Sequence, residues 1–380
     1  MPKRWNIAPH DATTVATLEK SAGISPILAR LLAARGVTDP EQVKGFLDAS
    51  MANLREPEEL FGIAEAADRI LAAAKAGRKI VIYGDYDADG MSSTAILCHC
   101  LAAIHAEPHW YVPDRFEEGY GLNSDALRRL KREGAELVVT VDCGIASHEP
   151  LSHAKAAGLD VVVLDHHVAE AGLPKAVAIV NPNRLDETSV CRQLAAVGVT
   201  FLFLVALNRG LRDAGYFLDE DLEEPKLMEW LDLVALGTVA DVVPLTGVNR
   251  ALVVQGIKVM SQRRNMGIKA LSDVANLDEA PTAYHLGFIF GPRVNAGGRV
   301  GEAHLGAQLL STTDPIEAAH LAQLLDAYNQ ERKVIEEGIQ EDEVLRKPTP
   351  RRQRKPADAG VARGAPGRRP DSPSPPCRAA

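Results

Sequence analysis

The sequence has few cysteines and no long apolar run, and both absences exclude classes of protein. Its cysteines form an odd set without a CxxC pair, so we expect no disulfide framework and a reducing, cytoplasmic location. No apolar run approaches the roughly 20 residues that a membrane span needs. The first ten residues, MPKRWNIAPH, lack the apolar stretch of a secretory signal. The cysteines are Cys98, Cys100, Cys143, Cys191 and Cys377.

Positive charge is also in short supply. The chain has 42 Lys and Arg against 51 Asp and Glu, a formal net charge of −9. This balance disfavours a protein coated all over in nucleic acid but is compatible with a local basic groove. Hydrophobic residues make up 46% of the 380 and charged residues 24%, as in ordinary globular proteins, and the length suffices for two or three domains.

Apolar β-type runs alternate with α-type segments between residues 61 and 250. The runs are KIVIYG, PHWYVP, ELVVTVDCG, LDVVVLDHH and AVAIVNPN. This rhythm predicts an α/β domain with a mostly parallel sheet and helices on both faces. Residues 1–60 are predicted to form an N-terminal helical segment. Residues 251–345 are predicted to form a helical region that contains a GPRVNAGGRVG loop.

The last segment, residues 346–380, has a different composition. It holds ten Lys and Arg, two Asp and eight Pro, with almost no large apolar side chains. Such a segment cannot bury enough apolar surface to offset its ordering entropy, so we expect disorder. It is either a dispensable tail or a basic arm that adds non-specific affinity for nucleic acid.

Three of the β-type runs end in acidic clusters: KIVIYGDYDADG (79–90), ELVVTVDCG (136–144) and LDVVVLDHH (159–167). The carboxyl ends of parallel strands converge on one crevice, so we expect these side chains to meet there. Like charges only a few ångströms apart repel, and a pair of divalent cations is the obvious neutraliser. The residues concerned are Asp85, Asp87, Asp89, Asp142, Asp165, His166 and His167.

The first cluster, DYDADG, also resembles the start of an EF-hand calcium loop. That loop needs a bidentate acid at its twelfth position, where this chain has Ile96, and a helix rather than a strand before it. On a strand-to-helix turn, alternate residues point to one side, so Asp85, Asp87 and Asp89 can act together. Gly90 permits a tight turn, and a helix beginning near Ser92 offers donors suited to phosphate. A solvated acidic loop remains the alternative.

The other two clusters differ in how specific they are. Asp142 alone could cap a turn, but its placement after a strand, like that of Asp165, favours a ligand. Three metal-competent residues in a row, Asp165-His166-His167, are an improbable core arrangement. Imidazole together with carboxylate suits Mn²⁺ or a similar ion, whereas purely carboxylate sites favour Mg²⁺.

The motifs DYDADG, VDCG and DHH, in this order and spacing, resemble the DHH phosphoesterase superfamily. Three further segments narrow the resemblance to the RecJ-type single-stranded-DNA exonucleases, over about residues 25–345. They are RFEEGYGLN (115–123), GTVADVVPL (237–245) and GPRVNAGGRVG (291–301). The resemblance implies hydrolysis of single-stranded DNA from its 5′ end with two Mn²⁺ or Mg²⁺ ions, in recombination and repair. It also implies a single-strand-binding protein and a helicase as partners.

The resemblance also assigns roles to residues. Asp142 would be the bridging carboxylate, Asp85 an additional acid and Asp165 a support for the site. His167 would contact phosphate or donate a proton. Without the resemblance, Asp241 would be read as a helix cap. Many superfamily members have histidine where this chain has Tyr83, which implies a weaker or more water-rich metal site. The implied metal ligands are Asp87, Asp89, Asp142, His166 and Asp241.

The substrate path is expected to involve two segments. In RFEEGYGLN, the resemblance points to Arg115, Tyr120 and Asn123. In GPRVNAGGRVG, glycines allow close backbone approach and arginines can pair with phosphates, which favours a clamp on the strand backbone over a structural turn. The residues of this clamp are Arg293, Asn295, Gly297, Gly298 and Arg299.

The family continues into a second domain with a Gly-Gly-His motif and an OB-like domain, and neither is visible in this sequence. We therefore expect a truncated enzyme with impaired action on long strands. Two alternatives stay open. One is a small-substrate DHH phosphatase or oligonucleotide phosphodiesterase, which would lack the RFEEGYGLN and GPRVNAGGRVG segments. The other is an inactive scaffold of the same fold, which would be expected to have lost ligands.

Overall fold

The chain divides into two units, Met1–Ile335 and Glu336–Ala380. The first holds the sheet and the clustered acids, and of the second only the end of the last helix is described. The predicted domain boundaries after residues 60 and 250 both fall inside the first unit. Tyr120 and the predicted disordered tail beyond Arg346 lie outside the described residues. The computed structural model describes residues 9–54, 56–115, 117–119, 121–189 and 191–346.

A parallel sheet forms the centre of the first unit. In the described part of the chain its five strands lie in the order β2-β1-β3-β4-β5, and every neighbouring pair is parallel. All residues of β1 and β3 are buried, as expected for strands covered on both faces. The predicted sheet and all five predicted runs are therefore confirmed. The strands are β1 Ile80–Gly84, β2 His109–Tyr111, β3 Leu137–Val141, β4 Asp160–Leu164 and β5 Ala178–Val180.

Helices cover both faces of this sheet, as predicted. The helices before and between the strands are α1 Ala12–Ala22, α2 Pro26–Ala33, α3 Pro40–Leu47, α4 Ile63–Lys75, α5 Ala88–Ala103, α6 Ser124–Arg132 and α7 His148–Ala156. One face of the sheet packs against α6 and α7 through an apolar cluster that includes Leu130 and Leu151. The other face shares a larger core with α4 and α5, which includes Ile70 and Ile96.

The chain beyond β5 is chiefly helical, as the sequence predicts. Its helices are α8 Ala196–Asp213, α9 Tyr216–Asp219, α10 Leu231–Ala240, α11 Gly247–Met260, α12 Met266–Val274, α13 Ala283–His285, α14 Gly291–Val294, α15 Gly297–Val300, α16 Leu305–Ser311 and α17 Pro315–Arg346. Short 3-10 turns span Met51–Asn53, Pro57–Glu59 and Leu227–Trp230, and a π-helical turn spans Leu286–Phe290. Among the described residues, no helix is both long and apolar enough to cross a membrane.

The N-terminal helices all begin at polar caps, which proline follows in α2 and α3. Ser25 and Asp39 each accept a backbone N–H of the helix that follows, and Pro26 and Pro40 occupy the first helical position, where the lack of an N–H costs nothing. These helices have a small core of their own, separate from the two cores of the sheet. It consists of Val15, Leu18, Ala29, Leu32 and Val43.

The GPRVNAGGRVG segment is helical, whereas the sequence predicts a loop. It contains α14 and α15, with Asn295 and Ala296 between them in right-handed helical conformation. Two adjacent glycines weaken a helix in isolation, but tertiary packing overrides that preference here. A side chain at Gly297 would lie 2.6 Å from the Glu302 carbonyl oxygen, so the glycine allows a backbone contact that alanine would block.

Candidate functional site

The strand register places three aspartates side by side. Gly84 pairs with Val141, and Val141 pairs with Leu164, so β1, β3 and β4 end at the same level. The next residue in each case is an aspartate, namely Asp85, Asp142 and Asp165. All three are buried. The acids that the sequence places after three separate strands therefore form one row along the edge of the sheet.

Two more aspartates belong to the first turn after β1. The sequence predicts a helix start near Ser92, but α5 begins at Ala88 because Asp87 caps it: Asp87 Oδ1 accepts the Asp89 and Gly90 N–H groups at 2.9 and 3.1 Å. Asp89 is therefore inside the helix. Its two carboxylate oxygens accept the backbone N–H groups of Ala196 and Val197, at 2.7 and 2.9 Å, where α8 begins.

His166 connects these carboxylates to a residue from far along the chain. Its Nε2 lies 3.2 Å from Asp142 Oδ1 and 3.9 Å from Asp89 Oδ2. Its Nδ1 lies 3.7 Å from Asp241 Oδ2 and 3.2 Å from the Leu194 carbonyl oxygen. Asp241 is the C-terminal cap of α10, and the packing of α10 against α5 carries it to the sheet edge. The position of Asp241 thus depends on helix packing and not on a strand.

Three overlapping groups of ligand atoms result, and within each group the atoms lie within 4.8 Å of one another. Asp142 belongs to two of these groups, and so does His166. The arrangement is therefore one continuous centre that offers ligand atoms for more than one cation. The groups are Asp85, Asp87 and Asp142; Asp89, His166 and Asp241; and Asp142, His166 and His167.

The buried carboxylates of this centre repel one another, and bound positive charge would offset that repulsion. Burial, with the charge of Asp87 second, raises the pKa of Asp85 to about 7. Burial and the neighbouring carboxylates raise the pKa of Asp89 and of Asp142 well above the usual range, and burial with Asp87 raises that of Asp241 to about 6. Asp85 Oδ1 and Asp142 Oδ1 are buried and accept no hydrogen bond. A carboxylate-rich donor set with orphaned oxygens fits divalent cations.

Asp165 differs from the other buried acids because it is fully hydrogen-bonded. Its Oδ2 accepts the Ile145 N–H at 2.9 Å, and its Oδ1 accepts the backbone N–H of His166 and of His167. His167 Nδ1 lies 2.7 Å from the same Oδ1. Burial opposes the ionisation of Asp165, but these bonds outweigh it and lower its pKa. The Asp165 bond in turn raises the pKa of His167 to about 9. Asp165 therefore holds a protonated, half-exposed His167 beside the acids.

Two residues at the site have left-handed backbone conformations that residues other than glycine rarely adopt. Asp142 has φ +62°, and Val242, which follows Asp241, also has φ +62°. A β-branched residue in this region is a genuine outlier. Such conformations cost on the order of 1–3 kcal/mol each and cluster at functional sites. The chain accepts this cost at two of the points that orient the candidate ligands.

The RFEEGYGLN segment contributes one positive charge near the centre. The Arg115 guanidinium lies 5.4 Å from the centroid of the Tyr86 ring, and Tyr86 stands between Asp85 and Asp87. Asn123 caps α6 by accepting the Ala126 N–H at 2.7 Å, so its amide oxygen is engaged within the protein. The position of Tyr120 is not described.

In GPRVNAGGRVG, the structure separates the predicted clamp residues. Arg293 is buried, with Nε 2.8 Å from Asp326 Oδ1 and one NH₂ group donating to the Ile289 carbonyl, so its guanidinium is engaged within the protein. Gly298 lies against Tyr86, where an added Cβ would meet the ring at 2.9 Å. Arg299 is exposed and lines a small cleft with Asn295.

That cleft, of about 120 Å³, also contains a residue that the sequence reasoning missed. Arg332, on α17, lines it together with Arg299 and Asn295, and Ala240, the neighbour of Asp241, forms part of its wall. Asn295 Oδ1 is buried there without a hydrogen bond. Arg332 lies in a long polar helix, and no local pattern distinguishes it from the other charged residues there.

Comparison with known proteins identifies the family. Residues 79–238 match the model of the DHH family, N-terminal domain. The chain is 43% identical to the single-stranded-DNA-specific exonuclease RecJ of Salmonella typhimurium, over 87% of this chain and 57% of that protein. A crystal structure of exonuclease RecJ bound to manganese superposes with a TM-score of 0.66 at 36% identity, over 76% of this chain and 70% of that one. The chain belongs to the RecJ family.

A second RecJ structure, from Thermus thermophilus and in complex with Mg²⁺, has a TM-score of 0.65 at 29% identity, over 90% of this chain and 44% of that one. The resemblance drawn from the motifs is therefore confirmed. This RecJ-family chain spans about half the length of the curated relatives it matches.

Proposed function

We propose that this RecJ-family chain hydrolyses phosphodiester bonds of single-stranded DNA, releasing nucleotides from the 5′ end, with two Mn²⁺ or Mg²⁺ ions bound. One observation carries the proposal: the overlapping ligand groups at the ends of β1, β3 and β4 lie beside a cleft lined by two arginines. RecJ relatives at 43% identity are named single-stranded-DNA-specific exonucleases, and solved RecJ structures hold manganese or magnesium.

The ions would be held by Asp87, Asp89, Asp142, His166 and Asp241, with Asp142 common to both positions. When bound, they supply an activated water and positive charge for the phosphoryl oxygens. Burial lowers the pKa of His166, which keeps its imidazole neutral and able to act as a ligand. Asp85 adds a further buried carboxyl beside Asp87.

His167 is suited to act on the substrate itself. Its bond to Asp165 raises its pKa to about 9 in the cation-free protein, and its side chain is 46% exposed. An imidazolium held by Asp165 can donate a hydrogen bond to a phosphate oxygen or a proton to the leaving oxygen. Arg299 and Asn295 would orient the adjoining phosphates, with Arg115 beside the Tyr86 ring.

The test uses a 5′-phosphorylated single-stranded oligonucleotide with Mn²⁺. Asp142→Ala should abolish Mn²⁺-dependent release of nucleotides, since this residue belongs to two of the three ligand groups. The matched control is Asp125→Ala, which removes an exposed aspartate of α6. Undiminished release by Asp142→Ala would eliminate the proposed site. A duplex of the same sequence is the control substrate and should resist hydrolysis.

Two other functions are less well supported. A small-substrate phosphatase needs no cleft beyond the cation site, yet Arg299, Arg332 and Asn295 extend the site outward. An inactive scaffold would have no reason to keep all the ligands in reach of one another. Comparing rates on a dinucleotide and on longer strands separates the first of these from the nuclease.

We also propose two kinds of partner and a location. A nuclease limited to single strands depends on a helicase to open duplex DNA, and it meets strands that a single-strand-binding protein already covers. Within the described part of the chain the cysteines are buried and form no disulfide, which fits a reducing cytoplasm.

A further inference from the structure

Two aromatic side chains stand exposed next to the arginine-lined cleft. Tyr284 is 62% exposed and Phe288 68% exposed. Their rings stack on one another, with centroids 5.0 Å apart and planes inclined by 25°. Scattered single apolar residues are ordinary on a surface, but a stacked aromatic pair held in the open is not.

The helix that carries this pair is capped at its start. Thr282 caps α13, and the Thr282 N–H donates to His285 Nδ1 at 3.0 Å, completing a reciprocal cap. The helix then continues through the π-helical turn Leu286–Phe290. Such turns are rare in proteins as a whole, but where they occur they are often at functional sites. Tyr284 and Phe288 are four residues apart and share one face. The pair is thus presented by an ordered element.

The same turn also borders the candidate site. Gly287 and Gly291 line the cleft with Asn295, Arg299 and Arg332. Gly291 lies against the end of α10, where a Cβ added to Gly291 would be 3.3 Å from Ala240 Cβ. Asp241 directly follows Ala240 in the chain. One short segment therefore joins the aromatic pair, the cationic cleft and a candidate metal ligand.

We propose that Tyr284 and Phe288 form a stacking platform for the bases of the single strand, while the cleft holds its phosphates. The inference rests on the proposed function and names where the strand runs beyond the cation site. Every base has a π-face, so such a platform binds without regard to sequence, as an exonuclease that removes successive nucleotides requires. A protein partner is the weaker reading, since two rings cover far less than the roughly 1,000 Å² of a specific protein interface.

The experiment measures binding of two oligonucleotides by fluorescence anisotropy in an Asp142→Ala background, which prevents cleavage. One is a twelve-residue oligo-dT and the other an abasic strand of equal length, which keeps the phosphates and lacks the bases. Replacing both rings, Tyr284→Ala with Phe288→Ala, should weaken oligo-dT binding about 5- to 30-fold and abasic binding less than about 2-fold. The ring-preserving pair, Tyr284→Phe with Phe288→Tyr, should retain the oligo-dT affinity.

Salt dependence separates the platform from the cleft. The ring-removing pair should leave the slope of log K against log salt unchanged, because it removes no phosphate contact. Arg332→Gln should reduce the slope by about one contact. All these side chains are at least partly exposed, so the variants are expected to fold.

Retained oligo-dT affinity in the ring-removing pair would overturn the platform and leave the surface to a protein partner. Equal loss for both oligonucleotides would overturn it as well, as would a parent that binds neither. Hydrolysis of bis(4-nitrophenyl) phosphate by the unaltered chain tests the proposed function independently. A chain that lacks this activity but distinguishes oligo-dT from the abasic strand through its rings would refute the hydrolase and keep the platform.

Discussion

Replacing Asp85 by asparagine should stabilise the cation-free protein at alkaline pH. Asp85 is 3% exposed, and burial, followed by the charge of Asp87, raises its pKa from 3.8 to about 7. The folded state therefore binds a proton that the unfolded state has released over the interval between these two values. Stability falls as pH rises through this window and is constant above it. Asparagine keeps the shape of the side chain and removes the ionisation.

The magnitude follows from the size of the shift. A rise of about 3 pKa units lowers the unfolding free energy of the parent by about 4 kcal/mol above pH 7. At pH 5 only about 1–2 kcal/mol of this destabilisation is present. The Asn variant should therefore gain roughly 2–3 kcal/mol of unfolding free energy over the parent between pH 5 and pH 8. Added Mn²⁺ should narrow the advantage, because a bound cation offsets the charge that Asn removes.

Urea denaturation in EDTA at pH 5 and pH 8, followed by far-ultraviolet circular dichroism, measures this difference. Asp125→Asn is the matched control, since its carboxylate is exposed and its replacement should change little at either pH. An Asp85→Asn variant no more stable than the parent at pH 8 would refute the reasoning. So would an advantage that is the same at both pH values.

Three further perturbations test the cation site and the packing around it. Mn²⁺ should raise the melting temperature of the parent in differential scanning fluorimetry, and Asp142→Asn should lose most of that shift; an equal shift in both would contradict the ligand assignment. Gly298→Ala should lower the unfolding free energy, measured in urea, by about 1–3 kcal/mol, because the added Cβ meets the Tyr86 ring at 2.9 Å. The control Gly210→Ala has open space around the added Cβ in the interior of α8 and should raise the unfolding free energy by up to about 1 kcal/mol. Phe203→Ala should cost about 3–5 kcal/mol, because Phe203 is fully buried in α8, and a loss below about 1 kcal/mol would contradict that packing.

The elements most accurately predicted from the sequence are those whose signals are local. An apolar run followed at once by aspartate predicts a buried strand and a polar group at its end, and β1, β3 and β4 all follow that rule. Proline after Asp39 predicts the start of α3 in the same way. The sequence predicts the start of α5 four residues too late, because capping by Asp87 is indistinguishable in sequence from an acidic loop.

Contacts between distant segments could not be read locally. Arg293 looks like a phosphate ligand in the sequence, and only the fold shows it engaged with Asp326, on α17. Arg332 carries no signal at all until α17 packs beside α14 and α15. The exposed pair Tyr284 and Phe288 reads as ordinary apolar spacing, because the side of a helix that faces solvent is decided by its neighbours.

By itself the sequence determined a parallel α/β sheet with acids and imidazoles at its carboxyl edge, because alternation of strands and helices and the residue that follows each strand are local properties. Tertiary structure decided which of those groups lie within 4.8 Å of one another, and it alone brought Asp241 among them and Arg332 into the neighbouring cleft. The physical reason is that helices beyond the sheet are positioned by the burial of their apolar faces, which is non-directional and leaves no pattern in the polar residues they carry.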